Sequence, residues 1–300
     1  MRIRTACASI VLVAAVSMLV FSPLCIAQEP AKPAGAPNAE KLLGWRLACQ
    51  AYSFNHFSFF EAVDKNASLG LKYIEAYPGQ KLSPEKPDVK LDQDMSEETM
   101  AAVKAKLDSA GVKLVDYGVV TPSDKLAADE KEWRKLFDFA KKMGIETIVS
   151  EPKPEAMPLL DKLTEEYGIN ISIHNHPKPS QYWNPDHLAE VIKGHSKRIG
   201  SCADTGHWMR SGVDPLEALK KLDGRIISLH FKDLNEMGPR AHDVPWGTGK
   251  ADVKVLLTEL KRQGFKGVFA IEYEYNWENS VPEIAQCVAN FDAMAKDLTK

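Results

Sequence analysis

Ile171-Ser-Ile-His174-Asn-His176 is the first of four segments in which a short apolar run ends in side chains that can bind a metal ion. The other three are Ser201-Cys-Ala-Asp204-Thr-Gly-His207, Ile227-Ser-Leu-His230-Phe-Lys232-Asp233 and Phe269-Ala-Ile-Glu272-Tyr-Glu274. The runs favour β-strands because they are short and rich in β-branched residues, and a helix-like segment follows each one. In a parallel barrel, side chains at the carboxyl ends of the strands converge at one mouth.

Strand and helix patterns alternate eight times between residues 41 and 300. The predicted strands cover residues 46–53, 72–76, 112–119, 145–150, 169–174, 199–204, 225–231 and 266–273. Strict alternation predicts parallel strands with right-handed crossovers, and eight units favour a closed barrel over a doubly wound sheet. No Gly-x-Gly-x-x-Gly follows the first strand, as a dinucleotide-binding sheet would require. The predicted fold class is therefore α/β, a (β/α)8 TIM barrel.

The first 27 residues have the pattern of a secretory signal peptide. Arg2 and Arg4 precede an apolar run from Ile10 to Val20, and Cys25-Ile-Ala27 offers small residues for cleavage after Ala27. The alternative, an uncleaved anchor, is less favoured because a membrane span needs about 20 apolar residues. Residues 28–40 are predicted as a Pro/Ala linker and residues 41–300 as the barrel. The sequence thus predicts a periplasmic or secreted protein, with no stable membrane insertion after cleavage.

Charge and cysteine content exclude two classes of protein. The 300 residues carry a net charge of −3, which becomes about −5 when the two leader arginines are removed. Duplex binding relies on clustered Lys and Arg, so no nucleic-acid partner is expected. Only Cys49, Cys202 and Cys287 remain in the mature chain, too few for a disulfide framework. Neither property indicates an oligomeric state.

The polar groups at the four strand ends do not alternate at random. Residues two apart on a strand share a face, so His174 and His176 point the same way, as do Glu272 and Glu274. Taken singly, each could be a core histidine or a carboxylate on the rim. Together they predict a site for one divalent metal ion, and imidazole with carboxylate ligands suits Mn²⁺, Co²⁺, Zn²⁺ or Mg²⁺.

Other residues at predicted strand ends are candidates for catalysis or for substrate contact. Glu151 follows the fourth strand and could contact substrate or metal, or could be a helix-entry acid beside Pro152. Glu75 ends the second strand and could reach a substrate hydroxyl, or could be structural. Four tryptophans fall at the expected mouth, where indole can pack on a sugar or close the core: Trp183, Trp208, Trp246 and Trp277. The candidate substrate contacts are Glu75, Trp208, Lys232, His242 and Trp246.

The Gly247-Thr-Gly249 loop after the seventh strand fits a phosphate site or an ordinary lid turn. An exported protein seldom meets sugar phosphates, which favours the turn. No Gly-x-Ser-x-Gly or His-Glu-x-x-His motif offers a competing chemistry.

Several of these motifs resemble the xylose-isomerase-like TIM-barrel superfamily, which includes ketose 3-epimerases and inosose dehydratase. They are Asp204-Thr-Gly-His207, His230-x-Lys232-Asp233, Pro245-x-Gly247-x-Gly249 and Ile271-Glu272-Tyr273, and the resemblance spans residues 45–297. It implies one divalent cation bound by Asp204, His230 and Glu272. The epimerases have a fourth ligand, a glutamate, on the fifth strand, where this chain has His174-Asn-His176, which is closer to inosose dehydratase. His174 is the expected fourth ligand and His176 the reserve candidate.

The resemblance implies a metal-dependent sugar isomerase or epimerase that abstracts a proton next to a carbonyl and passes through an enediolate, and the signal-peptide pattern adds that the enzyme is exported. Glu272 would take the proton, and His174, His207 or Glu151 would return it. The expected substrate is a small carbohydrate. The same site could serve a lyase or dehydratase acting on keto-sugars or keto-glycosides. Alternatives of other classes are a carbohydrate-binding barrel without catalysis and an endonuclease-IV-like phosphodiesterase.

Overall fold

The computed structural model of the protein describes residues 39–120 and 129–300. The predicted signal peptide and most of the predicted linker therefore lie outside the described residues. Ala39 and Glu40, assigned to the end of the linker, instead belong to the first helix, and the Ala39 side chain is fully buried. The folded region thus starts at least two residues earlier than predicted.

Eight parallel strands form a closed barrel. They are β1 (Arg46–Gln50), β2 (Tyr73–Ala76), β3 (Lys113–Val120), β4 (Thr147–Ser150), β5 (Asn170–His174), β6 (Ile199–Cys202), β7 (Ile226–Phe231) and β8 (Val268–Ile271). Each strand pairs with its neighbours in chain order, and β8 closes the barrel on β1, with Arg46 opposite Val268. The predicted (β/α)8 TIM barrel is confirmed.

The first strand is shorter than predicted. It ends at Gln50 instead of residue 53, because the next four residues form a 3₁₀ helix, Ala51–Phe54. The Gln50 side-chain oxygen accepts a hydrogen bond of 2.6 Å from the Tyr52 amide and so caps this helix. Tyr52 is thereby placed at the carboxyl end of the barrel.

One helix precedes the first strand, and the other helices follow the strands and cover the barrel. They are α1 (Ala39–Leu43), α2 (Phe59–Ser68), α3 (Glu97–Ala110), α4 (Glu130–Met143), α5 (Met157–Tyr167), α6 (Pro185–Val191), α7 (Thr205–Arg210), α8 (Pro215–Lys221), α9 (Val253–Arg262) and α10 (Val281–Asp297). Ser96 caps the start of α3 through the Thr99 amide, and Gly144 ends α4 at a φ of 74°, a conformation that glycine adopts without strain. These local signals set the turns that bring each strand back to the barrel.

Two short hairpins extend from the barrel, and the sequence did not predict either of them. One joins Gln80–Ser83 to Lys86–Leu91 after β2, and the other joins Asp233–Leu234 to Asp243–Val244 after β7. Among the described helices, none combines the length and apolar character that crossing a bilayer requires.

Candidate metal centre

Four side chains converge at the carboxyl end of the barrel from strands that are neighbours in the sheet. His174 ends β5, Asp204 follows β6, His230 lies near the end of β7 and Glu272 follows β8. One donor atom from each lies within 4.8 Å of the others, and all four residues are buried. Donors that bind one ion at about 2.1 Å lie about 3–4 Å apart, so this spread is close to that of a single coordination shell.

The two histidines each contact one carboxylate from a strand end that supplies none of these four residues. His230 Nε2 lies 2.9 Å from Glu75 Oε1, and both side chains are fully buried. His174 Nδ1 lies 3.1 Å from Glu151 Oε1, and its Nε2 lies 3.4 Å from Asp204 Oδ2. Both imidazole rings are therefore fixed in orientation at the centre of the site.

The Asp204-Thr-Gly-His207 motif has a local structural basis. Asp204 is the N-cap of α7, and its Oδ1 accepts a hydrogen bond of 2.6 Å from the His207 amide. The Thr205 hydroxyl donates to the Lys232 carbonyl and accepts from the Lys232 amide, each at 2.8 Å. A Cβ atom at Gly206 would lie 2.7 Å from Lys232 Cδ. Only glycine therefore leaves room for the lysine side chain beside the cluster.

Lys232 lies among three carboxylates. Its ammonium donates hydrogen bonds to Asp204 Oδ2 at 2.8 Å and Glu274 Oε2 at 3.0 Å. It also forms an ion pair with Glu272 Oε2 at 2.6 Å. The Lys232 side chain is 0% exposed, so its charge is compensated by these carboxylates and not by solvent.

An unpaired buried atom tests whether these residues fit a metal ion. Within the described residues, His230 Nδ1 is buried without a hydrogen-bond partner, 3.1 Å from Glu272 Oε2. A buried polar atom without a partner is unfavourable by about 1–3 kcal/mol, and a cation bound between the nitrogen and this carboxylate oxygen would satisfy it. The cluster therefore fits a divalent metal ion, whose identity it does not fix.

The electrostatic environment keeps the two candidate carboxylate ligands ionised. Burial raises the pKa of Asp204, but His207 and Lys232 outweigh it, so that this pKa lies well below its usual range. Burial also raises the pKa of Glu272, but Lys232 and His230 outweigh it, so that this pKa too lies well below its usual range. Both groups are thus in the form that binds a cation.

A cavity of about 250 Å³ opens beside the cluster, room for about eight water molecules and so for a ligand of monosaccharide size. Its lining residues are Gln50, Tyr52, Tyr77, Pro78, Val119, His176, His207, Glu272 and Glu274. A larger cleft of about 1000 Å³ lies between α3 and α4, and none of the four candidate ligands lines it. The smaller cavity is therefore the relevant one.

Of the predicted catalytic residues, Glu272 and His207 line the cavity, but Glu151 does not. Glu151 Oε1 instead contacts His174 Nδ1, the His176 amide at 3.1 Å and His176 Nδ1 at 2.5 Å. Although burial raises the pKa of Glu151, the hydrogen bonds to His174 and His176 outweigh it and lower this pKa. The prediction of a substrate contact at Glu151 is corrected: its carboxylate supports two histidines.

The predicted substrate contacts are also corrected. Glu75 and Lys232 are fully buried in the ion pairs described above, so neither can reach a substrate. Trp208 and Trp246 are 0% and 1% exposed, and the Trp246 ring packs on Phe231 with centroids 4.8 Å apart. These tryptophans are core residues. His242 stacks on Tyr275 at 4.4 Å and does not line the cavity.

Sequence reasoning missed the aromatic wall of the cavity. Tyr52 and Tyr77 line it, with ring centroids 5.2 Å apart, and the Trp277 ring lies 5.8 Å from that of Tyr52. Both tyrosines come just after a strand, and this position in the sequence could have identified them as residues of the barrel mouth. His176, held in reserve as a ligand, lines the cavity with 45% of its side chain exposed.

The fold of the chain is similar to that of several known proteins. The family model described as xylose isomerase-like TIM barrel matches residues 63–291. An uncharacterized protein from Parabacteroides distasonis has a crystal structure that is 34% identical, with a TM-score of 0.66, over 83% of this chain and 98% of that one. The IolI protein, solved with a zinc atom, is 18% identical with a TM-score of 0.61, over 85% and 98% of the two chains.

Curated relatives include the inosose dehydratase of Bacillus thuringiensis (strain Al Hakam). It is 27% identical over 161 residues, which are 48% of each of the two chains. The match thus spans about half the length of this curated relative. The family match covers most of the described barrel and all four candidate ligands, and the chain belongs to the xylose isomerase-like TIM barrel family.

Proposed function

We propose that the protein is a divalent-metal-dependent enzyme that abstracts a proton next to the carbonyl of an unphosphorylated keto-sugar or keto-sugar derivative. The observation that carries the proposal is the position of Glu272 and His207, which line one small cavity directly beside the four-residue cluster. The IolI protein, which has the same fold, was solved with a zinc atom, and this supports a metal ion in a barrel of this kind.

Glu272 and His207 have different roles in the proton transfer. Glu272 is ionised and faces the cavity, so its carboxylate takes the proton from carbon. His207 Nδ1 lies 3.1 Å from the Arg210 guanidinium, which can only donate, so the proton of a neutral His207 resides on Nε2. Burial, first of all, lowers the pKa of His207 well below its usual range. The neutral His207 therefore offers Nε2–H as a hydrogen-bond donor to a substrate oxygen.

His174, Asp204, His230 and Glu272 would hold the metal ion, whose contribution when bound is Lewis-acid polarisation of the substrate carbonyl. Tyr52 and Tyr77 provide an apolar wall for one face of a sugar. Of the groups expected to return the proton, only His207 lines the cavity. Because its ring is neutral, His207 stabilises the oxygen of the enediolate through a hydrogen bond, and the protonated Glu272 carboxyl is the group that returns the proton to carbon.

The loop after β7 argues against a phosphorylated substrate. Phosphate sites in barrels often use backbone amides of the loops after strands seven and eight. Here Asp233 Oδ2 accepts from the Gly247 amide at 2.9 Å and the Gly249 amide at 2.8 Å, and Oδ1 accepts from the Ala251 amide at 3.0 Å. The chain's own carboxylate thus occupies the amides that a phosphate would need.

The charges around the cavity point the same way. Its acidic lining residues are Glu272 and Glu274, and no lysine or arginine of the described segments lines it. The nearest cations are already paired: Arg210 contacts Glu274 at 2.5 Å and Asp243 at 2.9 Å, and Lys232 is buried among carboxylates. A phosphate group, with a charge of about −1.5 to −2, would therefore find no unpaired lysine or arginine on the cavity wall.

Two outcomes are compatible with this chemistry. Return of the proton to carbon gives isomerisation or epimerisation, whereas loss of a neighbouring substituent gives dehydration or elimination. The inosose dehydratase relatives support the second outcome as an alternative to the first.

The proposal is tested on purified protein by metal analysis and by incubation with keto-sugars in deuterated water. We expect about one divalent ion per chain, deuterium at the carbon next to the carbonyl, and faster reaction of a free keto-sugar than of its phosphate ester. Protein that neither carries nor binds a metal would contradict the metal assignment. Preference for the ester would contradict the substrate class while leaving the chemistry intact.

We also propose that the protein is exported, on the basis of the charged start, short apolar run and small residues at 25 and 27. Mass spectrometry of protein from its natural cells is expected to find the N-terminus near Gln28. An intact Met1 in the membrane fraction would show that the leader is an anchor.

A further inference from the structure

We propose that Glu75 and Glu151 are positioning residues that hold the two histidine ligands in opposite tautomers, so that His230 binds the metal through Nδ1 and His174 through Nε2. The inference goes beyond the proposed reaction, because it assigns the ligand atoms and a role to two carboxylates that do not face the cavity.

The first pair fixes His230. Its Nε2 lies 2.9 Å from Glu75 Oε1, and both side chains are fully buried. A carboxylate accepts hydrogen bonds and does not donate them, so the proton of His230 resides on Nε2. Nδ1 is the nitrogen on the side of the cluster, 3.1 Å from Glu272 Oε2, so its lone pair is the one that a bound cation would take.

The second pair fixes His174 in the reverse sense. Its Nδ1 lies 3.1 Å from Glu151 Oε1, and its Nε2 lies 3.4 Å from Asp204 Oδ2. Asp204 is itself one of the four clustered residues and Glu151 is not, so a cation bound at the cluster takes the Nε2 lone pair while Glu151 holds the proton on Nδ1. The backbone amide of His176 also donates to Glu151 Oε1, at 3.1 Å. This second hydrogen bond holds the Glu151 carboxylate in place and so fixes the position of the acceptor for His174 Nδ1.

Glu75 and Glu151 therefore orient the two rings so that one nitrogen of each, His230 Nδ1 and His174 Nε2, faces the four-residue cluster. The arrangement resembles in its physics any histidine ligand whose second nitrogen donates to a carboxylate, which fixes the ring and raises the basicity of the ligating nitrogen. Loss of such a partner lowers metal affinity by about 10–100-fold.

Nitrogen-15 NMR of the histidine rings tests the assignment in the wild-type protein, with zinc as the probe and with His174→Gln and His230→Gln spectra for assignment. In the zinc-bound protein we expect His230 to carry its proton on Nε2 and His174 on Nδ1, with zinc shifting His230 Nδ1 and His174 Nε2. Binding through the other nitrogen of either ring overturns the inference. Absence of any zinc binding would overturn the metal site instead.

Variants test the positioning role. We expect Glu75→Leu and Glu151→Leu each to raise the zinc dissociation constant by about 10–100-fold, and Glu75→Gln and Glu151→Gln to recover part of the loss because the amide oxygen still accepts from the ring. Asp161→Asn is the matched control, since Asp161 Oδ2 contacts His195 Nδ1 at 2.7 Å in a pair that includes no candidate ligand. Circular dichroism of the metal-free proteins checks folding. Unchanged zinc affinity in the folded Gln and Leu variants would show that the carboxylates do not position the ligands.

Discussion

Replacing Glu272 with glutamine is expected to lower kcat by at least about 10²–10⁴-fold while part of the metal binding remains. Positioned acid–base groups contribute about this much to enzymatic rates. Glutamine keeps the shape of the side chain and an oxygen that can face a cation, but its amide cannot accept the proton. The loss should therefore fall on turnover more than on metal content.

The measurement is kcat on a reactive keto-sugar together with deuterium exchange into the same substrate. Exchange and turnover should fall in parallel, because both require removal of the same proton. Glu274→Gln is the matched control, since Glu274 lines the same cavity and also contacts Lys232 but is not among the four clustered residues with His174, Asp204 and His230. We expect it to affect turnover less. Exchange that survives in Glu272→Gln would make Glu272 a ligand only.

The barrel was predictable from the sequence because its signals are local. A short β-branched run, an N-cap such as Ser96 and a terminal glycine such as Gly144 each act within a few residues. One of the errors in strand length, at Gln50, came from a side chain that caps a 3₁₀ helix. Such a cap cannot be distinguished from a continuing strand by hydrophobic pattern alone.

The grouping of the four candidate ligands was also predictable, since strand ends in a parallel barrel share one mouth. The roles of the supporting residues were not, because their partners lie far away in the chain. Glu75 contacts His230, 155 positions later, and no periodicity in the sequence predicts such a pair. Likewise, the core positions of Trp208 and Trp246 depend on which way a loop turns its side chains, which the sequence pattern leaves open.

Replacing Lys232 with methionine is expected to destabilise the metal-free protein by about 3–5 kcal/mol, the usual result of removing one partner from a buried ion pair. Methionine retains most of the aliphatic stem that packs beside Gly206 but removes the ammonium. Burial lowers the pKa of Lys232, but Asp204, Glu272 and Glu274 outweigh it and hold this pKa well above its usual range. The lysine is therefore charged, and without it three carboxylates repel one another in a buried site.

A divalent cation bound beside Asp204 and Glu272 would replace part of the missing charge. The destabilisation should therefore be smaller at saturating metal, since a ligand that binds only the native state stabilises it. By the same linkage, the native variant should bind metal more tightly than the wild type, because the competing ammonium has gone.

Urea unfolding of both proteins with and without metal measures these differences. Lys106→Met is the control, because Lys106 Nζ contacts Asp64 in a pair whose carboxylate is largely exposed, and such pairs contribute about 0–1 kcal/mol. If Lys232→Met lost the same stability with and without metal, the ammonium would be a structural element alone. If the loss shrinks on metal binding, the lysine is the charge that keeps the carboxylates of the empty site together, and the cation takes over part of that role.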